Sequence, residues 1–271
     1  AAETERSTQA QKILRRVVVR GLVRTRERVV TQYIPVAIGE SPERFDPERL
    51  REQLTRLRIF SEVKVSLLET DRATACEREC VIDIEVREKW SLYPIPVYVK
   101  YRDTEIGGAF LVESNALGEN KGVALGGLIS NRGWQGLIGF TDPHIRYSQF
   151  TTTMRYLAGR VFIEDATPDG KITRSYTLMR HDIQTATGYQ WRSGFFAGIL
   201  GGYRSAELTE QPPVTAQEPP GSASVMNLGV RFKYSSVTPT GFFQKGFESQ
   251  LDLEKGIVFA GENLHVISSA N

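Results

Sequence analysis

Gly246-Phe247-Glu248-Ser249-Gln250-Leu251-Asp252-Leu253-Glu254 decides how the longer part of this chain is read. Phe247, Ser249, Leu251 and Leu253 fall on one side of an extended backbone, and Glu248, Gln250, Asp252 and Glu254 on the other. A period of two gives a strand with one greasy and one wet face. Residues 227–235 repeat the pattern, with Leu228, Val230, Phe232 and Tyr234 against Asn227, Arg231 and Lys233. So do residues 149–158, with Phe150, Met154, Tyr156 and Ala158 against Gln149, Thr151, Thr153 and Arg155. Such strands suit either a soluble antiparallel sheet or a membrane barrel. Two features favour the barrel. Aromatic residues (Trp134, Phe140, Tyr147, Phe150, Tyr189, Trp191, Tyr203, Phe242, Phe243) gather near predicted strand ends, as interfacial girdles do. Glycine is abundant inside the strands, where it weakens a soluble sheet.

Working outward, turn residues divide the region into about eight predicted strands: 106–114, 121–130, 133–142, 148–162, 172–190, 194–208, 224–236 and 244–256. The Pro-rich stretch 209–223 reads as a loop. Upstream the composition changes. Residues 1–90 carry 34 charged side chains and 2 glycines, whereas residues 91–271, twice as many, carry 32 and 22. The boundary falls near Trp90–Pro96. There Pro94 and Pro96 are expected to stiffen an extended linker over 91–105, since proline does not suit a central strand. The net charge of +2 sets up no field that would draw nucleic acid. No apolar run reaches the ~20 residues of a membrane-spanning helix. Ala1-Ala2-Glu3 suits the start of a mature, exported chain.

The first 90 residues read as a small α+β domain over 13–90, behind a tail of 1–12. Ile13–Arg20 is a β-branched strand ended by Gly21. Thr25 is a candidate N-cap for a helix carrying Val29, Val30, Tyr33 and Ile34, up to Pro35. Asp46-Pro47 starts a second helix, an N-cap followed by proline at the first helical position, with Leu50, Leu54 and Leu57 on one face. Ser61–Leu68 and Val81–Glu88 alternate as strands. Cys76 and Cys80 stand in the predicted turn between them. They fit a disulfide stapling that turn in an oxidising compartment, or stand as two free thiols. The order is β-α-α-β-β.

That order resembles a POTRA (polypeptide-transport-associated) domain, through Val19-Arg20-Gly21-Leu22 with Thr25, Ile38-Gly39-Glu40, Asp46-Pro47-Glu48-Arg49-Leu50 and Leu57-Arg58-Ile59-Phe60-Ser61-Glu62-Val63. Val81–Val86 and Glu88-Lys89-Trp90 complete the match. The rest resembles the barrel of the same outer-membrane superfamily, the BamA/TamA-like insertases and two-partner-secretion transporters of the bacterial surface antigen type. Gly107-Gly108-Ala109-Phe110, Asn115-Ala116-Leu117-Gly118 and Lys121–Ser130 look like its first hairpin. Leu137–Phe140 into Thr141-Asp142-Pro143-His144 looks like its third strand and second outer loop. Two departures stand out. The family's late barrel carries an Arg-Gly-aromatic motif that nothing after residue 91 supplies. Its barrel also normally has sixteen strands, twice the number read here.

The resemblance implies an outer-membrane protein, its POTRA domain in the periplasm, that assists insertion or translocation of polypeptide, or alternatively of lipid. The mechanism it implies is main-chain pairing at sheet edges. One edge would be Ser61, Glu62, Val63, Lys64, Val65, Ser66 and Leu67. The other would be the first barrel strand, Ile106, Gly107, Gly108, Ala109, Phe110, Leu111 and Val112. Implied partners are membrane lipid, unfolded outer-membrane or secreted polypeptide clients, and a second copy of the chain. Nucleic acid is not among them. Alternatives are a passive pore or anchor whose POTRA domain serves its own assembly, and the barrel of a lipase-fused relative without its enzyme domain.

Catalytic motifs do not support an enzyme. No Gly-x-Ser-x-Gly elbow occurs; Gly39-Glu40-Ser41-Pro42 fails at the second glycine. There is no phosphate-binding glycine loop and no His-Glu-x-x-His. Asp142-Pro143-His144 reads as an outer-loop turn, and Glu248, Asp252 and Glu254 as solvated residues of a water-filled lumen. No cofactor or metal ligand set is expected.

Overall fold

A computed structural model describes residues 11–69, 77–101, 103–191, 194–210, 221–240, 243–258 and 266–270. The chain divides into two compact units, Ala1–Trp90 with Leu117–Asn120, and Ser91–Ala116 with Lys121–Asn271.

In the first unit the strands are β1 (Gln11–Arg20), β2 (Phe60–Glu69) and β3 (Glu77–Glu88), and the helices are α1 (Glu27–Thr31) and α2 (Pro47–Arg56). The sheet order is β1-β3-β2, with β1 parallel and β2 antiparallel to β3. The central strand is the one whose alternation buries most: Cys80, Ile82, Ile84 and Val86 all lie in the core. Helix α2 is fixed by its own sequence. The Asp46 carboxylate accepts from the Glu48 and Arg49 N–H groups at 3.0 and 3.2 Å, and Pro47 has no N–H to leave orphaned. Its Leu50 and Leu54 are almost fully buried, each contributing about 1.5–3 kcal/mol against exposure.

Helix α1 begins later than the sequence implied, with Arg26 at the N-cap instead of Thr25. The reason lies in β3. The Glu88 carboxylate accepts the N–H groups of Val23, Arg24 and Thr25 at 2.9, 3.1 and 2.8 Å, so Thr25 is held by a strand side chain and buried. Burial pushes the Glu88 carboxyl up, but these donors outweigh it and hold the group below its ordinary value. Gly21 makes the loop feasible. Its φ is +88°, and a Cβ there would lie 1.9 Å from the Val86 carbonyl oxygen.

The second unit is a ten-stranded antiparallel sheet. Its strands are β4 (Leu92–Tyr101), β5 (Thr104–Ala116), β6 (Lys121–Ser130), β7 (Gly133–Asp142), β8 (Phe150–Ala166), β9 (Ile172–Gln190), β10 (Phe195–Glu210), β11 (Ala223–Ser235), β14 (Glu248–Val258) and β15 (Val266–Ala270). They pair in chain order. Two short strands, β12 (Thr238–Thr240) and β13 (Phe243–Lys245), form a ribbon between β11 and β14. Among the described residues no ladder joins β4 to β15.

Three expectations are corrected. The linker over 91–105 is in fact mostly strand β4, at the sheet's edge, where Pro94 and Pro96 turn away from β5 and their missing N–H groups interrupt no bond of that ladder. The eight expected strands are β5–β11 and β14, so the count was low by the two outermost strands. Adding β4 also reverses the ends: the turn after β7, which holds Pro143 and His144 and was expected at the end opposite the start of the sheet, lies at the end where β4 begins. Among the described residues no helix is long and apolar enough to cross a membrane.

Candidate functional sites

The two faces of the large sheet differ in a way that soluble proteins avoid. Register places Leu251 beside Phe232 and Leu253 beside Val230, and sets Leu111, Leu125 and Ile138 in one row across β5–β7. All seven are exposed, Phe232 by 41 % and Leu251 by 45 %. Phe150, Tyr189, Trp191 and Phe195 form a run of ring contacts at one end of β8–β10, with centroids 5.3, 4.7 and 5.4 Å apart. That run is girdle-like. Phe242 lies outside the described residues.

The opposite face is wet from β8 onward. One row runs Tyr93, Val112, Ala124, Gly139, Arg155, Gln184, Gly202 and Asn227. Arg155 donates to the Gln184 side-chain Oε1 at 2.7 Å. The nearly buried Asp182 carboxylate takes Arg180 and Arg204, each at 3.0 Å. Arg231 grips Asp252 with two bonds of 2.8 and 2.7 Å, and Lys233 pairs with Glu248 at 3.0 Å. A cavity of about 250 Å³ on this face is lined by Thr153, Arg155, Gln184, Asn227, Arg231 and Glu254. The carboxylates read from the sequence as solvated are therefore mostly paired. The inner face of β4 and β5 differs again, carrying Ile95, Val97, Val99, Ile106, Phe110 and Val112. Glycines inside the strands make room for inner aromatic rings. A Cβ on Gly126 would lie 2.5 Å from the Phe110 ring, and one on Gly198 2.6 Å from that of Phe196.

The residues expected at edges fare differently. Ser61–Leu67 lies in β2, an outer strand of the three-stranded sheet. Val63, Val65 and Leu67 are half-buried, Glu62, Lys64 and Ser66 are exposed, and the ladder skips a residue at Ser61. Ile106–Val112 is not an edge. It lies in β5, paired on one side with β4 and on the other with β6. The edge is β4, which sequence reasoning missed although Tyr93, Ile95, Val97, Val99 and Tyr101 alternate visibly. Cys80 is buried within β3 and not in a turn, while Cys76 lies outside the described residues. Asp142 and His144 serve the turn itself. The Asp142 carboxylate accepts the His144 N–H at 3.0 Å and approaches Lys121 at 3.5 Å, and the His144 ring nitrogen meets the Ser148 carbonyl at 3.1 Å. Among the described residues no group of His, Cys, Asp and Glu could hold a metal ion.

No family profile and no curated protein matches the sequence. Solved structures do match its fold. BamA from Haemophilus ducreyi lacking POTRA domains 1–3 aligns over 92 % of this chain and 48 % of its own, with a TM-score of 0.61 and 13 % identity. CdiB from Escherichia coli aligns over 94 % and 47 %, with a TM-score of 0.51 and 13 % identity. CdiB from Acinetobacter baumannii aligns over 92 % and 48 %, at 0.48 and 12 %. The chain thus spans about half the length of these structures. The neighbours fall in the superfamily that the sequence motifs resemble, and what is shared with them is the fold.

Proposed function

We infer that this chain is part of an outer-membrane protein that helps insert or translocate polypeptide, its first unit acting as a POTRA domain in the periplasm. The observation that carries this reading is the sheet's two faces, with exposed apolar side chains on one and paired charges on the other. Water favours the reverse, whereas a bilayer requires this arrangement. The fold shared with BamA and CdiB supports a role in the same kind of process. The chemistry is main-chain pairing. An outer strand offers N–H and C=O groups that an incoming unfolded segment completes, with little demand on its sequence. Strand β2 offers such an edge in the first unit and β4 in the second.

A reconstitution assay tests this. Liposomes containing the protein should speed the folding of a urea-denatured eight-stranded outer-membrane barrel, followed as its heat-resistant gel band, over empty liposomes. Equal folding rates together with ion conductance would mean a passive pore.

A further inference from the structure

The exposed face of β7 and β8 is uncharged over most of its height and changes abruptly near one end. Its positions read Trp134, Gly136, Ile138 and Phe140 on β7, and Phe150, Thr152, Met154, Tyr156 and Ala158 on β8. The next on β8 is Arg160, directly opposite Trp134. Phe150, in the aromatic run at the other end of β8, lies ten residues away (150 to 160). Ten residues of strand rise about 33 Å, or about 25 Å along the membrane normal at the ~40° tilt of membrane barrels, which is the height of their apolar band. Arg160 therefore stands where the apolar band ends and headgroups begin, and β8 runs on past it to Ala166. A second arginine joins it from the turn between β6 and β7. The Arg132 carbonyl accepts the Phe162 N–H at 3.1 Å, and its guanidinium lies over the Phe162 ring, 5.8 Å from the centroid. Ile129, Arg132, Trp134, Arg160, Phe162 and Thr177 line an open cleft of about 570 Å³ whose lining includes no carboxylate. Glu164 stands beside it and accepts one Arg132 N–H at 2.8 Å. A guanidinium has five N–H donors, so that bond leaves Arg132 with others to give.

We propose that this cleft binds the phosphate of an anionic membrane lipid between Arg132 and Arg160, with the lipid's acyl chains lying down the exposed face below it. Guanidinium forks match phosphate oxygens, and two of them suit a phosphomonoester, which carries roughly −1.5 to −2 charges. Trp134 supplies the amphipathic ring that favours the boundary between headgroup and hydrocarbon. Below the cleft the same face continues through Gly127 and Gly136 to Leu125 and Ile138, in register on β6 and β7. That surface serves an acyl chain and offers a phosphate nothing. A free phosphate would use the arginines alone, so a lipid is the occupant that the whole site fits.

This inference rests on the outer-membrane part of the proposed function and not on polypeptide insertion. The full-length protein is reconstituted in phosphatidylcholine liposomes carrying a minor fraction of phosphatidic acid with the same acyl chains. The liposomes are floated, and the protein is extracted in mild detergent and weighed intact with its retained lipid. One phosphatidic acid per chain should be retained in preference to phosphatidylcholine. Arg132→Gln/Arg160→Gln, checked for folding by heat-dependent gel mobility, should raise the phosphatidic acid fraction needed for half-occupancy roughly tenfold or more, as two lost charge-assisted bonds would. Arg155→Gln removes an arginine from the opposite face of the same strand and should leave half-occupancy unchanged. Glu164→Gln removes the competing carboxylate and should lower the fraction needed, which keeps the test readable if the double variant does not fold. Millimolar inorganic phosphate should not displace the lipid. Equal retention of the two lipids, an equal effect of Arg155→Gln, no gain from Glu164→Gln, or displacement by phosphate would each overturn the lipid site. Protein that does not float with the liposomes would refute the membrane reading itself, whereas floating protein without a retained lipid removes this inference alone.

Discussion

Placing a charge on the exposed face gives the sharpest test of the membrane reading. Phe232 and Leu251 sit directly opposite each other on β11 and β14, both outward and both well exposed. Their inner neighbours, Lys233 and Gln250, are likewise opposite each other, with Lys233 also bound to Glu248. In water an exposed Phe→Arg change costs little. In hydrocarbon an arginine near the midplane costs about 2–4 kcal/mol, roughly 30- to 900-fold in the folded population. Phe232→Arg and Leu251→Arg should each lower the unfolding free energy of the liposome-inserted protein, read from urea titrations, by that amount. The double variant should depart from additivity, because the two arginines would be cross-strand neighbours. Gln250→Arg is the control: it places the same arginine on the wet face, where it keeps a donor for Asp252, and should leave the unfolding free energy nearly unchanged. If Phe232→Arg and Leu251→Arg are tolerated as well as Gln250→Arg, the exposed face meets water and the outer-membrane assignment fails.

Two further predictions concern the first unit. The Glu88 carboxyl lies below its ordinary value in the folded chain, so its stabilisation is complete above the normal carboxylate range and is lost as pH falls through the folded value. Glu88→Gln should therefore lower the urea midpoint at pH 7, with the difference from the parent shrinking below about pH 4; a pH-independent difference would mean that the charge is not what holds the Val23–Thr25 loop. Gly21→Ala should cost more than the ~1–2 kcal/mol of a left-handed alanine, because its Cβ would also meet the Val86 carbonyl, and a melting temperature within a degree or two of the parent would contradict that geometry.

Most of the first unit was legible because its signals are local. Asp46-Pro47 announces a helix start through two atoms' worth of chemistry, and β3's alternation names its own core face. The Thr25 cap was not legible, because its competitor Glu88 lies 63 residues away and its approach depends on tertiary packing. In the sheet, the inner and outer sides of β11 and β14 follow directly from period two. The error at β4 had a different origin. Pro94 and Pro96 correctly exclude a central strand, but they exclude nothing about an outer one, and only the pairing of Leu92–Tyr101 with β5 shows which applies. That single missed strand moved the apparent edge onto Ile106–Val112 and turned the loop at Pro143 to the wrong end. Cys80 was assigned to a turn in a similar way, whereas the alternation Cys80, Ile82, Ile84 already marks it as a core residue of β3.

The inner face also bears on how wide an enclosure these strands would wall. A closed eight-stranded barrel fills its interior with side chains. Here Gly139, Thr153, Ala186, Gly202, Asn227 and Gly229 on the inner face are too small to meet across a narrow lumen, and the longer Arg155 and Gln184 among them bond to each other along the wall. Salt bridges such as Arg231–Asp252 lie flat between neighbouring strands and do not reach across it. The pattern fits a wide wall, either one of more strands than these or one shared with a second copy of the chain. A wide wall in lipid must satisfy both its edges.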